Sequence, residues 1–273
     1  DVGFLVVGTE SAVDKSKPTA THVHELLGIS SQCRVYDIVH ACVGATYGLL
    51  SALDWLHRTD ARYALVIASD IARYGKGNLG EPTQGAGAVA MLLCREPRLM
   101  VLDEITTYSR QVWDFWKPLS ETYPIVDGMY STQCYIEAVT ACFGTMANIE
   151  REAAFLYHMP YPKLVQQAYG RIARLIDKDV NWKEHFSEWV EASCHYPSRI
   201  GNIYTGSLWL ALVSQLESRW WGNGDVADPD TFYLFSYGSG SGAALLRGQR
   251  QPTWTDVLHT ARVDDALATR RRL

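Results

Sequence analysis

The sequence predicts a duplicated α/β fold built around two buried helices, and three observations carry that prediction. First, a strand-like run, Arg34-Val35-Tyr36-Asp37-Ile38-Val39, leads through Cys42 into a nearly all-apolar helix that extends to about Leu56. Second, Gly201-Asn202-Ile203-Tyr204-Thr205-Gly206-Ser207 repeats the plan, with a polar residue, small residues and then a helix apolar almost all round. A helix of that kind must be buried on every side. Third, short continuous apolar runs such as Phe4–Val7 and Phe232–Phe235 fit strands covered on both faces.

The elements follow in order. Phe4–Val7 is a buried strand that ends in Gly8-Thr9-Glu10-Ser11. Ligand chemistry in α/β folds gathers at the carboxyl ends of such strands, which marks Glu10; a solvated loop carboxylate is the alternative. Ser16-Lys17-Pro18 starts a helix that runs to about Leu27-Gly28, with glycine as its C-terminal cap. At the junction before the second helix, Cys42 lies where backbone N–H groups are unpaired and the helix dipole is positive. That setting predicts a lowered thiol pKa and a nucleophilic thiolate; a buried structural cysteine is the alternative. Ala64–Asp70 is another buried strand ending in an acid. Glu81-Pro82-Thr83-Gln84-Gly85-Ala86-Gly87-Ala88 leads into a strand over Val89–Leu93, its glycines permitting close backbone approach.

Leu99–Ile105 is expected to be a strand, and a long helical region is expected over Ser131–Phe155. Tyr157-His158-Met159-Pro160 breaks that region. A proline two residues on biases this stretch toward extended backbone. His158 is either structural or, with Lys163 five residues later at a helix start, part of a site for a phosphorylated ligand. Lys163–Leu175 and Trp182–Ala192 are amphipathic helices. After Phe232–Phe235 the glycines of Ser236-Tyr237-Gly238-Ser239-Gly240-Ser241-Gly242 can aim a backbone N–H at a ligand, as an oxyanion hole requires, or form a flexible turn. The last thirty residues are polar, Arg-rich and expected to be helical or loose.

Bulk properties narrow the function. The 273 residues are 47% hydrophobic and carry a net charge of -5, which is enough for a large core and argues against nucleic acid as a partner. No run of about 18 apolar residues occurs, so no membrane span is expected. The six cysteines have no CxxC spacing, which indicates neither a zinc site nor a disulfide framework and fits a cytoplasmic protein. The chain enters at Asp1-Val2-Gly3 directly on an apolar strand. Because termini usually lie at the surface and fray, preceding sequence is expected to be missing.

Cys42, His158 and Asn202 stand in the order used by papain-like proteases, but the local papain signature is absent, and acyl transfer from a thioester matches the set better. Eight ordered motifs then carry a specific resemblance: Gly8-Thr9-Glu10-Ser11 with Asp14–Lys17; Ala41–Thr46; Glu81–Ala90; Asp114-Phe115-Trp116-Lys117-Pro118; Tyr123–Gly128; Tyr157-His158 with Pro160 and Lys163; Gly201–Ser207; and Phe235–Ser241. Together they cover roughly residues 3–245, and in kind and order they resemble hydroxymethylglutaryl-CoA synthases.

The resemblance implies a thiolase-like duplicated α/β/α/β/α layered sandwich with two central buried helices. Residues 1–98 form a first half whose N-terminal part is missing, and 99–273 a second half with inserted helices. It implies that Cys42 accepts acetyl from acetyl-CoA, that Glu10 deprotonates the acetyl methyl, and that His158 and Asn202 bind and polarise acetoacetyl-CoA. Backbone N–H groups of Cys42 and Ser239 form the oxyanion hole, Lys163 meets a CoA phosphate, Tyr204 lies at the substrate, and Asp70 and Asp114 support the site. No metal or organic cofactor is implied, and the expected assembly is a cytoplasmic homodimer. Val43 follows the cysteine where the family usually has an aromatic residue, which puts substrate fit in question. Ile203-Tyr204 and Trp113–Trp116 look like the mevalonate-pathway branch. The alternatives are a polyketide β-branching synthase using an acyl carrier protein, a ketoacyl synthase III-like enzyme, and a non-catalytic interaction subunit.

Overall fold

The computed structural model describes residues 1–218, 228–258 and 263–269. Its first sheet has the order β2-β1-β3-β4, from β1 (Val2–Gly8), β2 (Arg34–Ile38), β3 (Tyr63–Ile71) and β4 (Ala86–Leu93). β1 is parallel to β2 and β3, and β4 returns antiparallel to β3. The second sheet has the order β5-β10-β9-β8, from β5 (Met100–Ser109), β8 (Ala154–Tyr157), β9 (Thr231–Gly238) and β10 (Gly242–Arg250). β8 is parallel to β9, while β10 is antiparallel to both β9 and β5. Each sheet thus has parallel strands followed by an antiparallel return. Between β5 and β8 in sequence, β6 (Phe115–Trp116) and β7 (Ile125–Val126) pair as a small hairpin.

Alternating side chains along the strands assign the layers. Phe4 and Val6 of β1, with Leu156, Leu234 and Leu246 of the second sheet, enclose one apolar core around α2 (Gly44–Arg58) and α7 (Ser207–Glu217). These are the two buried helices expected from sequence; α7 buries Leu208, Trp209, Leu210, Ala211 and Leu212. Leu5 and Val7 face the other way, onto α1 (Thr19–Leu26). Phe155, Tyr157, Tyr233 and Phe235 face α3 (Gly128–Thr145) and α4 (Pro162–Ile176). The result is the five-layer α/β/α/β/α sandwich that the resemblance implies.

Several boundaries differ from expectation. The helix expected over Ser131–Phe155 ends at Thr145, and Ala154–Tyr157 is a fully buried edge strand. That apolar run reads equally well as helix or strand by periodicity, and its pairing with β9 decides it. The helix expected over Trp182–Ala192 ends at Trp189 (α5) and passes through a 3-10 turn, Glu191–Cys194, into α6 (His195–Ile200). The first of the last thirty residues belong to β10. Trp254–Leu258 (α8) and Val263–Thr269 (α9) are helical, and 259–262 and 270–273 lie outside the described residues. The start signal Ser16-Lys17-Pro18 is met, with Pro18 immediately before the first helical residue of α1. The cap comes from Asp37 of β2, whose carboxylate accepts from Thr19 N at 2.6 Å and Ala20 N at 2.8 Å. Gly28 closes that helix in the left-handed region, φ +59°.

Candidate active site

Topology gathers the singled-out residues. β1 ends two residues before Glu10, β2 four before Cys42, β8 one before His158 and β9 one before Ser239. These are the carboxyl ends of the parallel strands, where α/β sheets present their chemistry.

Cys42 sits in a turn between β2 and α2. Val43 N donates to His40 O at 3.1 Å, and Ala41 takes a left-handed backbone, φ 41°. For a residue other than glycine this is a strained conformation of the kind that clusters at functional sites. The glycine-rich end of β9 presses on the turn. A Cβ on Gly238 would lie 2.7 Å from His40 O, Val43 N and Val43 Cγ1, so only glycine permits this approach. Ser239 is thereby carried to the edge of the Cys42 turn. Val43 itself is wholly buried and packs against Gly238.

The N-terminus of α2 is capped from the other half of the chain. Ala45 N donates to Thr205 Oγ1 at 2.7 Å. Close approach of backbone also brings Asn202 into place: Asn202 N donates to Thr83 O at 2.8 Å, and a Cβ on Gly85 would lie 2.7 Å from the Gly201 carbonyl carbon. The Asn202 side-chain oxygen accepts from Tyr204 N and Ser207 Oγ, both at 2.9 Å, which leaves its NH2 group as the part suited to a ligand. Tyr204 is buried and left-handed, φ 46°. Its ring packs edge-on against Phe115 at 6.1 Å.

Two buried aspartates hold the loops. Asp70 Oδ1 accepts from Glu10 N at 2.7 Å, Ser11 Oγ at 2.8 Å and Thr9 Oγ1 at 3.2 Å, and Oδ2 accepts from Thr205 N at 3.5 Å. It therefore fixes the Glu10 loop and ties it to the second half. Asp114, fully buried, does the same for the glycine loop, accepting from Tyr237 OH at 2.9 Å, Gly240 N at 3.0 Å and Ser131 Oγ at 3.2 Å.

Electrostatics set the protonation states. Burial pushes the Glu10 carboxyl from its ordinary 4.5 to about 8; the nearby Asp70 charge adds to this and Lys117 opposes it. Burial likewise pushes the Cys42 thiol well above its ordinary value, reinforced by the charges of Glu10, Asp70 and Asp114. This corrects the lowered pKa expected from the helix dipole: a partial charge at a helix end loses to desolvation and three carboxylates. His158 is buried, its pKa pushed down to about 3, so its imidazole is neutral. His158 Nδ1 and Glu10 Oε1 are both buried without a hydrogen-bond partner. Such groups are uncommon in folded proteins and call for an explanation.

Glu10, Cys42, Asp70, Asp114 and Tyr204 are therefore joined by contact or by charge, and Ser239 and Asn202 by backbone packing. His158 enters through the adjacent end of β8, its backbone N–H donating to Phe235 O at 2.7 Å. Lys163 does not join them by any contact among the described residues; it is exposed at the start of α4 and lines a separate groove. One residue near the site carries no local signal in the sequence: Tyr74, whose phenol is pushed up to about 12, first by burial and then by its nearness to Cys42, reaches the site through a loop whose course depends on the tertiary fold. Lys117, inside the Asp114–Pro118 motif, lowers the Glu10 pKa by its charge. Among the described residues no cluster of His, Cys, Asp and Glu has the makings of a metal site.

Comparison with known proteins agrees with this architecture. The profile for the hydroxymethylglutaryl-coenzyme A synthase N-terminal region matches residues 1–97, and that for the C-terminal region matches 100–181 and 175–273. The chain is 38% identical over 254 residues to a hydroxymethylglutaryl-CoA synthase of Enterococcus faecalis, covering 91% of this chain and 65% of the relative. It is 32% identical over 330 residues to that of Haloferax volcanii, covering 100% and 73%. A crystal structure of HMG-CoA synthase complexed with CoA superposes with a TM-score of 0.86 at 38% identity, covering 97% of this chain and 68% of the other. MvaS in complex with 3-hydroxy-3-methylglutaryl coenzyme A superposes at 0.88 and 34% identity, covering 100% and 72%. The chain thus spans about two thirds of the length of these relatives, and by profile, identity and fold it belongs to the hydroxymethylglutaryl-CoA synthase family.

Proposed function

We propose that the chain carries the acyl-transfer and condensation site of an enzyme that forms 3-hydroxy-3-methylglutaryl-CoA from acetyl-CoA and acetoacetyl-CoA. The observation that carries the reading is Glu10: a buried carboxyl with a free oxygen and a pKa near 8, within the field of a cysteine at the mouth of the same sheet. Abstracting a proton next to a thioester needs such a base.

Cys42 Sγ attacks the acetyl carbonyl, and its proton passes to Glu10. A thiolate beside a carboxylate is penalised by repulsion, whereas transferring the proton between them keeps one negative charge. The departing CoA thiolate takes that proton, giving acetyl-Cys42 and ionised Glu10. Glu10 then removes a methyl proton. The oxygen of the resulting enolate faces the backbone N–H groups of Cys42 and Ser239, donors fixed before the charge forms, each worth about 3 kcal/mol in such a role. The carbanion attacks C3 of acetoacetyl-CoA, whose carbonyl the neutral His158 imidazole and the Asn202 NH2 group polarise. The new alkoxide takes back the proton that Glu10 removed from the methyl, and water cleaves the acyl-Cys42 thioester to release product and thiol.

The reading includes a cytoplasmic homodimer of the mevalonate pathway. All six cysteines are free, and among the described residues no helix is long and apolar enough to cross a membrane. A second reading, condensation on carrier-bound substrates, is supported by likeness to the curacin-pathway HMG synthase in complex with acetyl donor-ACP, at 26% identity and a TM-score of 0.90. Turnover with acetoacetyl-CoA against acetoacetyl-carrier protein separates them. Faster turnover with CoA supports the first reading, and faster turnover with the carrier protein reverses the ranking.

A further inference from the structure

The loop that carries Ser239 is flanked by two glycines, and one residue meets both. Gly238 ends β9, Gly242 begins β10, and the two stand opposite each other in the ladder. A Cβ on Gly238 would lie 2.7 Å from His40 O, and a Cβ on Gly242 would lie 2.7 Å from His40 Cε1 and 3.0 Å from His40 Nε2. The backbone of His40 therefore seats on one end of the loop and its imidazole on the other.

The imidazole is itself held. Tyr47 packs against it edge-on, with ring centroids 5.4 Å apart, and the Tyr47 hydroxyl lies 2.8 Å from the same Cβ position on Gly242. Ser109 of β5 stands opposite Gly242 across the neighbouring ladder. Burial raises the Tyr47 phenol and the Ser109 side chain opposes that rise, which places Ser109 beside the phenol. Burial also pushes the His40 imidazole below its ordinary value, so at neutral pH an uncharged ring fills the seat. The reaction steps use neither His40 nor Tyr47.

His40 lies two residues before Cys42, across the left-handed Ala41, and its carbonyl accepts from Val43 N at 3.1 Å. Gly238, which the same carbonyl touches, adjoins Ser239. The middle of the glycine loop is fixed separately, by Gly240 N on Asp114. We infer that His40, clamped by Tyr47, is a positioning residue that sets the gap between the backbone N–H groups of Cys42 and Ser239. The inference rests on the reading of those two groups as oxyanion donors. Such donors act only when both meet the same oxygen, at about 2.7–3.1 Å, and a misplacement of about 1 Å costs on the order of a hundredfold.

The test compares two reactions of Cys42, each read by mass on the Cys42 peptide. Acetyl transfer from acetyl-CoA builds an oxyanion; alkylation by iodoacetamide needs the thiolate and builds none. His40→Ala keeps the backbone and empties the seat on Gly242. It is expected to slow acetyl transfer at saturating acetyl-CoA on the order of tenfold to a hundredfold, with KM little changed, while alkylation stays within about twofold. His40→Phe refills the seat with a ring and should recover most of the loss. Gly242→Ala displaces the ring from the other side and should slow transfer too. Added to His40→Ala, it should cost less than the product of the two single effects. Unchanged transfer in His40→Ala overturns the proposal, as does an equal fall in transfer and alkylation, which marks a collapsed turn, or the absence of recovery in His40→Phe. A wild-type chain that is alkylated at Cys42 but takes no acetyl group refutes the acyl-acceptor reading and the proposal together. A wild type that takes acetyl no faster than His40→Ala refutes the proposal alone.

Discussion

Glu10 shows how burial and one neighbour prepare a side chain. Its carboxyl, near 8 rather than 4.5, is raised by desolvation and by Asp70, so the base form accumulates only as pH rises toward and through about 8. Condensation, measured with acetyl-Cys42 already formed, is expected to climb over that range. Asp70→Asn removes the neighbouring charge and should move the midpoint to lower pH; an unmoved midpoint would show that Asp70 acts on Glu10 only through the loop. Stability has the opposite sign. A carboxyl whose folded pKa is raised stabilises the fold fully below pH 4.5, and that contribution is lost as pH rises through 8. Glu10→Gln should therefore unfold at a higher temperature than the wild type above pH 8, a difference on the order of a few kcal/mol, as thermal melts across pH would show. Cys42 illustrates why sequence alone misjudged a protonation state. The strand–turn–helix setting was legible, and so was the dipole, but the carboxylates of Glu10, Asp70 and Asp114 converge only in the folded chain.

At the scale of elements, the site is an arrangement of ends. The Cys42 turn is held from outside by Gly238, and the α2 N-terminus by Thr205. Gly238→Ala would drive a methyl into the His40 carbonyl and Val43 N, backbone atoms that cannot swing aside. A loss of about 1–3 kcal/mol and a changed rate of Cys42 alkylation are expected. Thr205→Val keeps the shape and removes the cap, which should cost about 1–2 kcal/mol in denaturant titration. The elements easiest to foresee were those whose burial is written in their own composition: α2, α7, β1 and β9. The first half of β8 was hidden at the end of an expected helix because four apolar residues carry no period of their own. The cap of α1 was hidden because Asp37 acts from 18 residues away.

The whole molecule is one sandwich sharing a middle layer, and its halves are laced together. Besides Thr205 with Ala45 and Asp70, Thr46 Oγ1 donates to Ser236 Oγ at 2.8 Å, and Gln84 bridges Asn202. Because α2 and α7 are buried in a common core between the sheets, neither half can open without exposing the other. Calorimetry is expected to show one cooperative transition, and two separable transitions would contradict that coupling. The layered plan could be read from the Cys42 and Asn202 stretches, whereas the lacing could not, since each tie joins residues far apart in sequence.

The central claim is that Cys42 is an acyl acceptor served by Glu10, and peptide mass mapping after incubation with acetyl-CoA tests it most directly. One added acetyl group is expected on the Cys42 peptide, gained more slowly in Glu10→Gln, which cannot take the thiol proton, and absent in Cys42→Ser. A folded protein that gains no acetyl group, or gains it at another cysteine, would contradict it.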